Sequence, residues 1–126
     1  MNPWLLVAIG SASGGVLRYA LARMLPTTPG RWPVSTLLAN LLGCFAIGAL
    51  AAALATRAPA DSEGLRLFWM TGVLGGFTTW SAFALESSIF LGGGLALRGM
   101  LYVLVTLVGC IGAAFAGRAL LAMVKG

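Results

Sequence analysis

The chain has 126 residues, of which 60% are hydrophobic and only 9% charged, with a formal net charge of +5. Soluble domains carry about a quarter charged residues, so a mean hydropathy of +0.97 points to a single membrane domain over residues 1–126, with little left for a soluble module. The eight basic residues are dispersed singly, which excludes a phosphate-tracking patch and with it nucleic acid as a partner; with no histidine, no nucleophile–base pairing and no carboxylate cluster, the chain does not read as an enzyme.

Segmenting by bilayer length predicts four spans, at about 4–25, 33–56, 66–91 and 97–123, each near the roughly 20 residues a spanning helix needs. The opening "LLVAIGSAS" resembles the apolar core of a signal peptide. No Lys or Arg precedes it, however, and apolar sequence resumes at once with "VLRYALARML", so it reads as the start of the first span. The breaks between spans are "PTTPGRWP", "TRAPADSEG" and "LGGGLALR", each carrying proline or glycine punctuation. Four spans put both termini on one side. Arg57, Arg66 and Lys125 then lie with the termini and Arg23, Arg31 and Arg98 opposite, which is almost no bias under the positive-inside rule. Either a span boundary is misplaced or the protein inserts both ways.

In the first span Gly10 and Gly14 lie four apart, and Gly109, Ala113 and Gly117 continue that spacing in the fourth. Small residues at such intervals let helices approach closely in lipid, without naming which helices meet. Four short helices enclose a polar route poorly by themselves, so an oligomer is expected. Cys44 and Cys110 lie in separate apolar segments without metal-site spacing and read as small apolar packing residues.

The polar residues inside the spans need a reason. Asn40, well inside the second span, carries an amide that is costly to leave unpaired in hydrocarbon; it either bonds a neighbouring helix or serves a ligand. Tyr102, Thr106 and Cys110 recur at i, i+4 and i+8 on one face of the fourth span, forming a track of donors unless their hydroxyls bond back to their own helix. Arg18 lies within snorkelling reach of an interface or lends positive potential to a vestibule. Glu86 is the only acidic residue inside a span.

The third span contains "GVLGGFTTWSAFALE", in which Gly72, Gly75 and Gly76 precede Thr78 and Thr79. That sequence weakens the helix at mid-membrane, where irregular backbone is tolerated only if it is buried in protein or lines a watery cavity. A broken helix frees carbonyls for hard cations and amides for anions. Trp80 and Phe83 share a face as the helix resumes, and aromatic rings offer a positive edge to a small anion.

At these residues the chain resembles the Fluc (CrcB-type) fluoride channels over almost its whole length, through "GGVLRY", "STLLANLLGCFAIG" and above all "GGFTTWSAF", where the family typically has GG-x-TTFSTF. The resemblance implies an all-α membrane protein of four transmembrane helices, the third broken, assembled as an antiparallel, dual-topology homodimer in the cell's inner or plasma membrane. It implies two fluoride pores that passively export the anion trapped inside when neutral HF enters, a structural Na+ ion and no organic cofactor. Position by position, it implies that Gly75 and Thr78 supply sodium-binding carbonyls. Asn40, Thr79, Trp80, Phe83, Tyr102, Thr106 and Cys110 would follow the fluoride pathway, with Arg18 near a vestibule and Glu86 near the path. Trp80 replaces the family's usual phenylalanine, adding bulk and an indole N–H, and Cys110 stands where a hydroxyl is common. The rival reading is a small multidrug-type cation/proton exchanger, which needs a membrane-embedded carboxylate that the first two spans lack.

Overall fold

Asn2 starts the first helix: its side chain accepts from the Trp4 N–H at 2.9 Å, and Pro3 occupies the first turn, where no N–H is needed. The computed structural model describes residues 1–125, apart from the side chains of Asp61 and Lys125, so the Lys125 charge used to weigh orientation lies outside the described atoms. Helix α1 (Pro3–Met24) ends just before Pro26, and α2 (Val34–Leu54) begins directly after Pro33. The third helical region has several parts. A short helix α3 (Pro59–Leu65) runs into a π-helical stretch over Arg66–Leu74 and a last turn α4 (Gly75–Phe77); after Thr78 and Thr79, α5 (Trp80–Gly92) resumes. Gly94, at φ +77°, makes the left-handed turn into α6 (Ala96–Lys125).

All the regular structure among the described residues is thus helical, and α1, α2 and α6 are each long and apolar enough to cross a membrane. Two expectations are refined. The third predicted span, 66–91, is no continuous α-helix; its first half is widened to π geometry, the Gly75 N–H donating to the Met70 carbonyl five residues back. And "TRAPADSEG", read as a break, folds from Pro59 onward into α3, because a proline is well placed in a first helical turn.

Backbone contacts fix the arrangement. A Cβ added at Gly10 would meet the Phe68 carbonyl at 2.5 Å and the Gly72 Cα at 2.9 Å, and one at Gly14 would overlap the Val73 carbonyl and reach the Phe77 nitrogen at 2.8 Å. These increasing numbers show α1 running parallel to residues 66–77. On the other side, a Cβ at Gly109 would meet Leu41, one at Gly48 would overlap Ala114, and one at Gly117 would overlap the Phe45 carbonyl, so α2 and α6 are also parallel. The small-residue stripes now have partners: α1 packs on the third region and α6 on α2. A buried aromatic cluster of Phe83, Phe90 and Tyr102, flanked by Trp32 and Leu37, ties α5 to α2 and α6.

Candidate functional site

The glycines at 72, 75 and 76 give the third region little helical preference, and at Thr78 (φ −79°, ψ 158°) and Thr79 (φ −150°, ψ 109°) the backbone becomes extended. Side chains from two other helices hold it there. Asn40 of α2 donates through Nδ2 to the Thr79 carbonyl at 3.1 Å and accepts the Thr79 N–H on Oδ1 at 2.8 Å. Arg18 of α1 donates through Nε to the Gly76 carbonyl at 3.1 Å, so its guanidinium serves the break rather than reaching away to an interface. Thr79 caps α5 by accepting the Ala82 N–H on Oγ1 at 3.2 Å.

This bonding has a consequence for two carbonyls. In an unbroken helix the Thr79 N–H would close on the Gly75 carbonyl and the Ala82 N–H on the Thr78 carbonyl. Both donors are diverted to side-chain oxygens, which deprives the carbonyls of Gly75 and Thr78 of their helical partners. Gly75 is exposed and Thr78 half-buried, so these acceptors lie near the surface of the single chain.

A cavity of about 360 Å³ opens beside the break, between α2, the π-helical stretch and α6, and its lining includes Asn40, Gly75, Thr78, Trp80, Thr106 and Cys110. The hydroxyls of the helices behave differently from one another. Ser13, Thr78 and Ser87 donate back to carbonyls of their own helices, Ile9, Leu74 and Phe83 respectively, which is the ordinary fate of a membrane-helix hydroxyl. Thr106 does not: its Oγ1 is buried and has no hydrogen-bond partner among the described residues. An unsatisfied buried hydroxyl costs about 1–3 kcal/mol, so its position in a cavity that also holds the Asn40 side chain calls for a ligand or water.

Next to the cavity the Glu86 carboxylate accepts from two sides, from Thr36 Oγ1 at 2.7 Å and from the Tyr102 hydroxyl at 2.8 Å. Phe83, 4% exposed, lies between Trp80 (ring centroids 5.0 Å, 54°) and Tyr102 (5.5 Å, 51°). Trp80 itself is 69% exposed on this chain while also lining the cavity.

The structure therefore brings Asn40, Gly75, Thr78, Trp80, Thr106 and Cys110 to one cavity, with Thr79 bound to Asn40. It sets Phe83, Tyr102 and Glu86 in the adjoining cluster, and holds Arg18 at the Gly76 end of the break. Sequence reasoning missed Thr36 and the place of Cys44 in the cavity wall. A signal for both existed, because Thr36, Asn40 and Cys44 recur at i, i+4 and i+8 on α2, the same spacing as Tyr102, Thr106 and Cys110 on α6. With the helices parallel, the two stripes form rungs: Thr36 and Tyr102 on Glu86, Asn40 and Thr106 in the cavity, then Cys44 and Cys110 in the same cavity.

Residues 5–118 match the model of the family described as CrcB-like protein, Camphor Resistance (CrcB). The chain is 43% identical over 118 residues to a protein of Hyphomonas neptunium named fluoride-specific ion channel FluC, covering 93% of each chain. Proteins of the same name from Agrobacterium fabrum and Rhizobium meliloti are 46% identical over 117 residues and 42% over 122, covering 91% and 96% of this chain and 92% and 97% of theirs.

Proposed function

The chain belongs to the CrcB-like family, and from that premise we propose that it is a fluoride-selective channel that passively exports cytoplasmic fluoride. The observation that carries this reading is the unpartnered Thr106 hydroxyl beside Asn40 in the cavity. Fluoride is small and strongly hydrated, so a selective route must replace its water with closely spaced donors while holding it weakly enough to let go. Thr106 offers a free O–H. The Asn40 Nδ2 has a second proton beyond the one spent on Thr79, and the Cys110 thiol is a weak further donor. The ring edges of Trp80 and Phe83 carry partial positive charge toward the same route, which leads past Thr79 to the Tyr102–Glu86 cluster. No cationic side chain lines this cavity among the described residues, which favours passage over capture.

The working unit is an antiparallel homodimer with two such routes, each copy crossing the inner or plasma membrane four times, with the broken region as the third pass beside the continuous helices α1, α2 and α6. Several features support this. α1 parallels residues 66–77 and α2 parallels α6, as alternating passes require, and the basic residues divide almost evenly between the two sides. Trp80 and Gly75 stand exposed on the isolated chain, beside the break where a second copy would cover them.

The residues present also fit a sodium ion. The carbonyls of Gly75 and Thr78 have lost their helical donors, and hard cations take such oxygens as ligands. One chain offers two of them, fewer than a hard cation's usual six or so; the same pair from a second copy would make four, leaving water to complete the shell. Bound there, sodium would neutralise facing carbonyl dipoles and pin the two breaks together.

The test is efflux from proteoliposomes followed with a fluoride electrode, with chloride as the control. Rapid fluoride loss with chloride retained is the expected result; equal rates for both, or none for either, overturn the reading.

A further inference from the structure

Fluoride passage gives no role to Cys44, and Cys110 is a poorer donor than the hydroxyl it replaces, yet both thiols line the cavity from facing helices. Met70, on the π-helical stretch, lines it as well. The register of α2 and α6 that brings Leu41 against Gly109 sets Cys44 and Cys110 on the same rung, and both line the one cavity. Three sulfur-bearing residues thus line one cavity of about 360 Å³ from three segments of the chain.

We infer that Cys44, Cys110 and Met70 form a binding site for a soft monovalent cation, silver(I) or copper(I), and that its occupancy closes the cavity to anions. Thiolate and thioether sulfur select such ions over sodium, magnesium or calcium. Among the described residues no group of three or more His, Cys, Asp or Glu exists, which leaves no four-ligand tetrahedral centre of the zinc kind. Soft monovalent ions need fewer ligands, and two thiols with a thioether satisfy them. The charge balance suits a membrane interior. As the metal–sulfur bond forms, one thiol releases its proton to water, so a single positive charge replaces another and the cavity's net charge is unchanged. The cation sits one helical turn beyond Asn40 and Thr106, where its bulk fills the space an ion must cross. The blocking half rests on the fluoride reading above; the binding half does not.

The two halves are tested separately on the full-length protein. In detergent without chloride, purified protein is mixed with silver nitrate, passed over a desalting column with thiosulfate as competitor, and assayed for retained metal. Wild type is expected to retain about one silver per chain, Cys44→Ser and Cys110→Ser much less, and the double variant none. Met70→Leu, which keeps both thiols and the side-chain volume, is expected to hold silver less tightly against thiosulfate. Equal retention by wild type and the double variant overturns the site, whether or not the protein conducts fluoride. In proteoliposomes the ratio of fluoride flux without and with silver is compared across the same variants. Wild type should lose flux roughly tenfold or more and regain it on adding dithiothreitol, and Cys44→Ser should lose much less. Silver that binds wild type without slowing its fluoride flux overturns the closure, as does a block that persists in the double variant.

Discussion

The seam between α1 and residues 66–77 is backbone against backbone, whereas the seam between α2 and α6 begins as rungs of polar and sulfur side chains and closes to backbone contact only farther along, at Gly48 and Gly117. The first seam has no room for a single Cβ at Gly10, Gly14 or Gly76. The second leaves a cavity. Close packing on one side of the break lets the other side stay open, because the irregular backbone at Thr78 and Thr79 is braced by α1 through Arg18 and by α2 through Asn40.

The largest expected effect comes from disturbing the tight seam. Gly14→Ala sets a methyl group into the Val73 carbonyl and against the Phe77 nitrogen; these are backbone atoms that cannot rotate away. A loss of stability of about 3 kcal/mol or more is expected, read as loss of monodisperse protein on size-exclusion chromatography. Gly15→Ala, at the adjacent position where a Cβ meets nothing within 4 Å, should be neutral or slightly stabilising. If both variants behave alike, the tight seam is not what holds the fold.

On the open side the expected loss is of function rather than fold. Asn40→Asp keeps an oxygen to accept the Thr79 N–H but turns a second oxygen toward the Thr79 carbonyl where Nδ2 now donates, and adds a negative charge to the proposed anion route. Fluoride efflux should be abolished with the oligomer intact, and Phe83→Ile, which removes the ring between Trp80 and Tyr102, should do the same. Undiminished flux in both would take them off the pathway. A smaller effect is expected from Thr106→Val, which removes the unpartnered hydroxyl at nearly constant volume. Flux should fall roughly tenfold while thermal stability holds or rises, because deleting an unsatisfied buried hydroxyl recovers about 1 kcal/mol. A drop in stability instead would mean that the hydroxyl serves the fold.

Three of the helices could be read from hydropathy almost to their ends, since Pro26, Pro33 and the glycines at 92–94 fall at boundaries that the backbone itself enforces. The break could also be read, from Gly75, Gly76 and the two threonines. What lay beyond reach was partnership. Nothing in the spacing of Asn40 says that its amide closes on both backbone atoms of Thr79, because that contact joins residues 39 apart. The π-helical stretch has no side-chain signature, and arises where the third region lies against α1. Thr36 was missed for a different reason: a threonine near a helix start has a local explanation, and only the parallel register of α2 and α6 sets it opposite Tyr102 on Glu86.

The smallest effect is expected where a side chain changes but the proposed ligand is backbone. In Thr78→Ser the hydroxyl that donates to Leu74 at 2.9 Å is retained, and so is the carbonyl whose helical donor has been diverted. Only the methyl that lies over Gly43 is lost, a change of about 1 kcal/mol. Efflux and oligomer should therefore stay close to wild type. Replacing sodium by a large organic cation acts on the carbonyls themselves and should weaken assembly or flux in wild type and Thr78→Ser alike. The pairing of the two measurements carries the inference: a site built from side chains would make the variant worse than wild type when sodium is scarce. Indifference of both proteins to sodium would mean that the carbonyls of Gly75 and Thr78 are left to water.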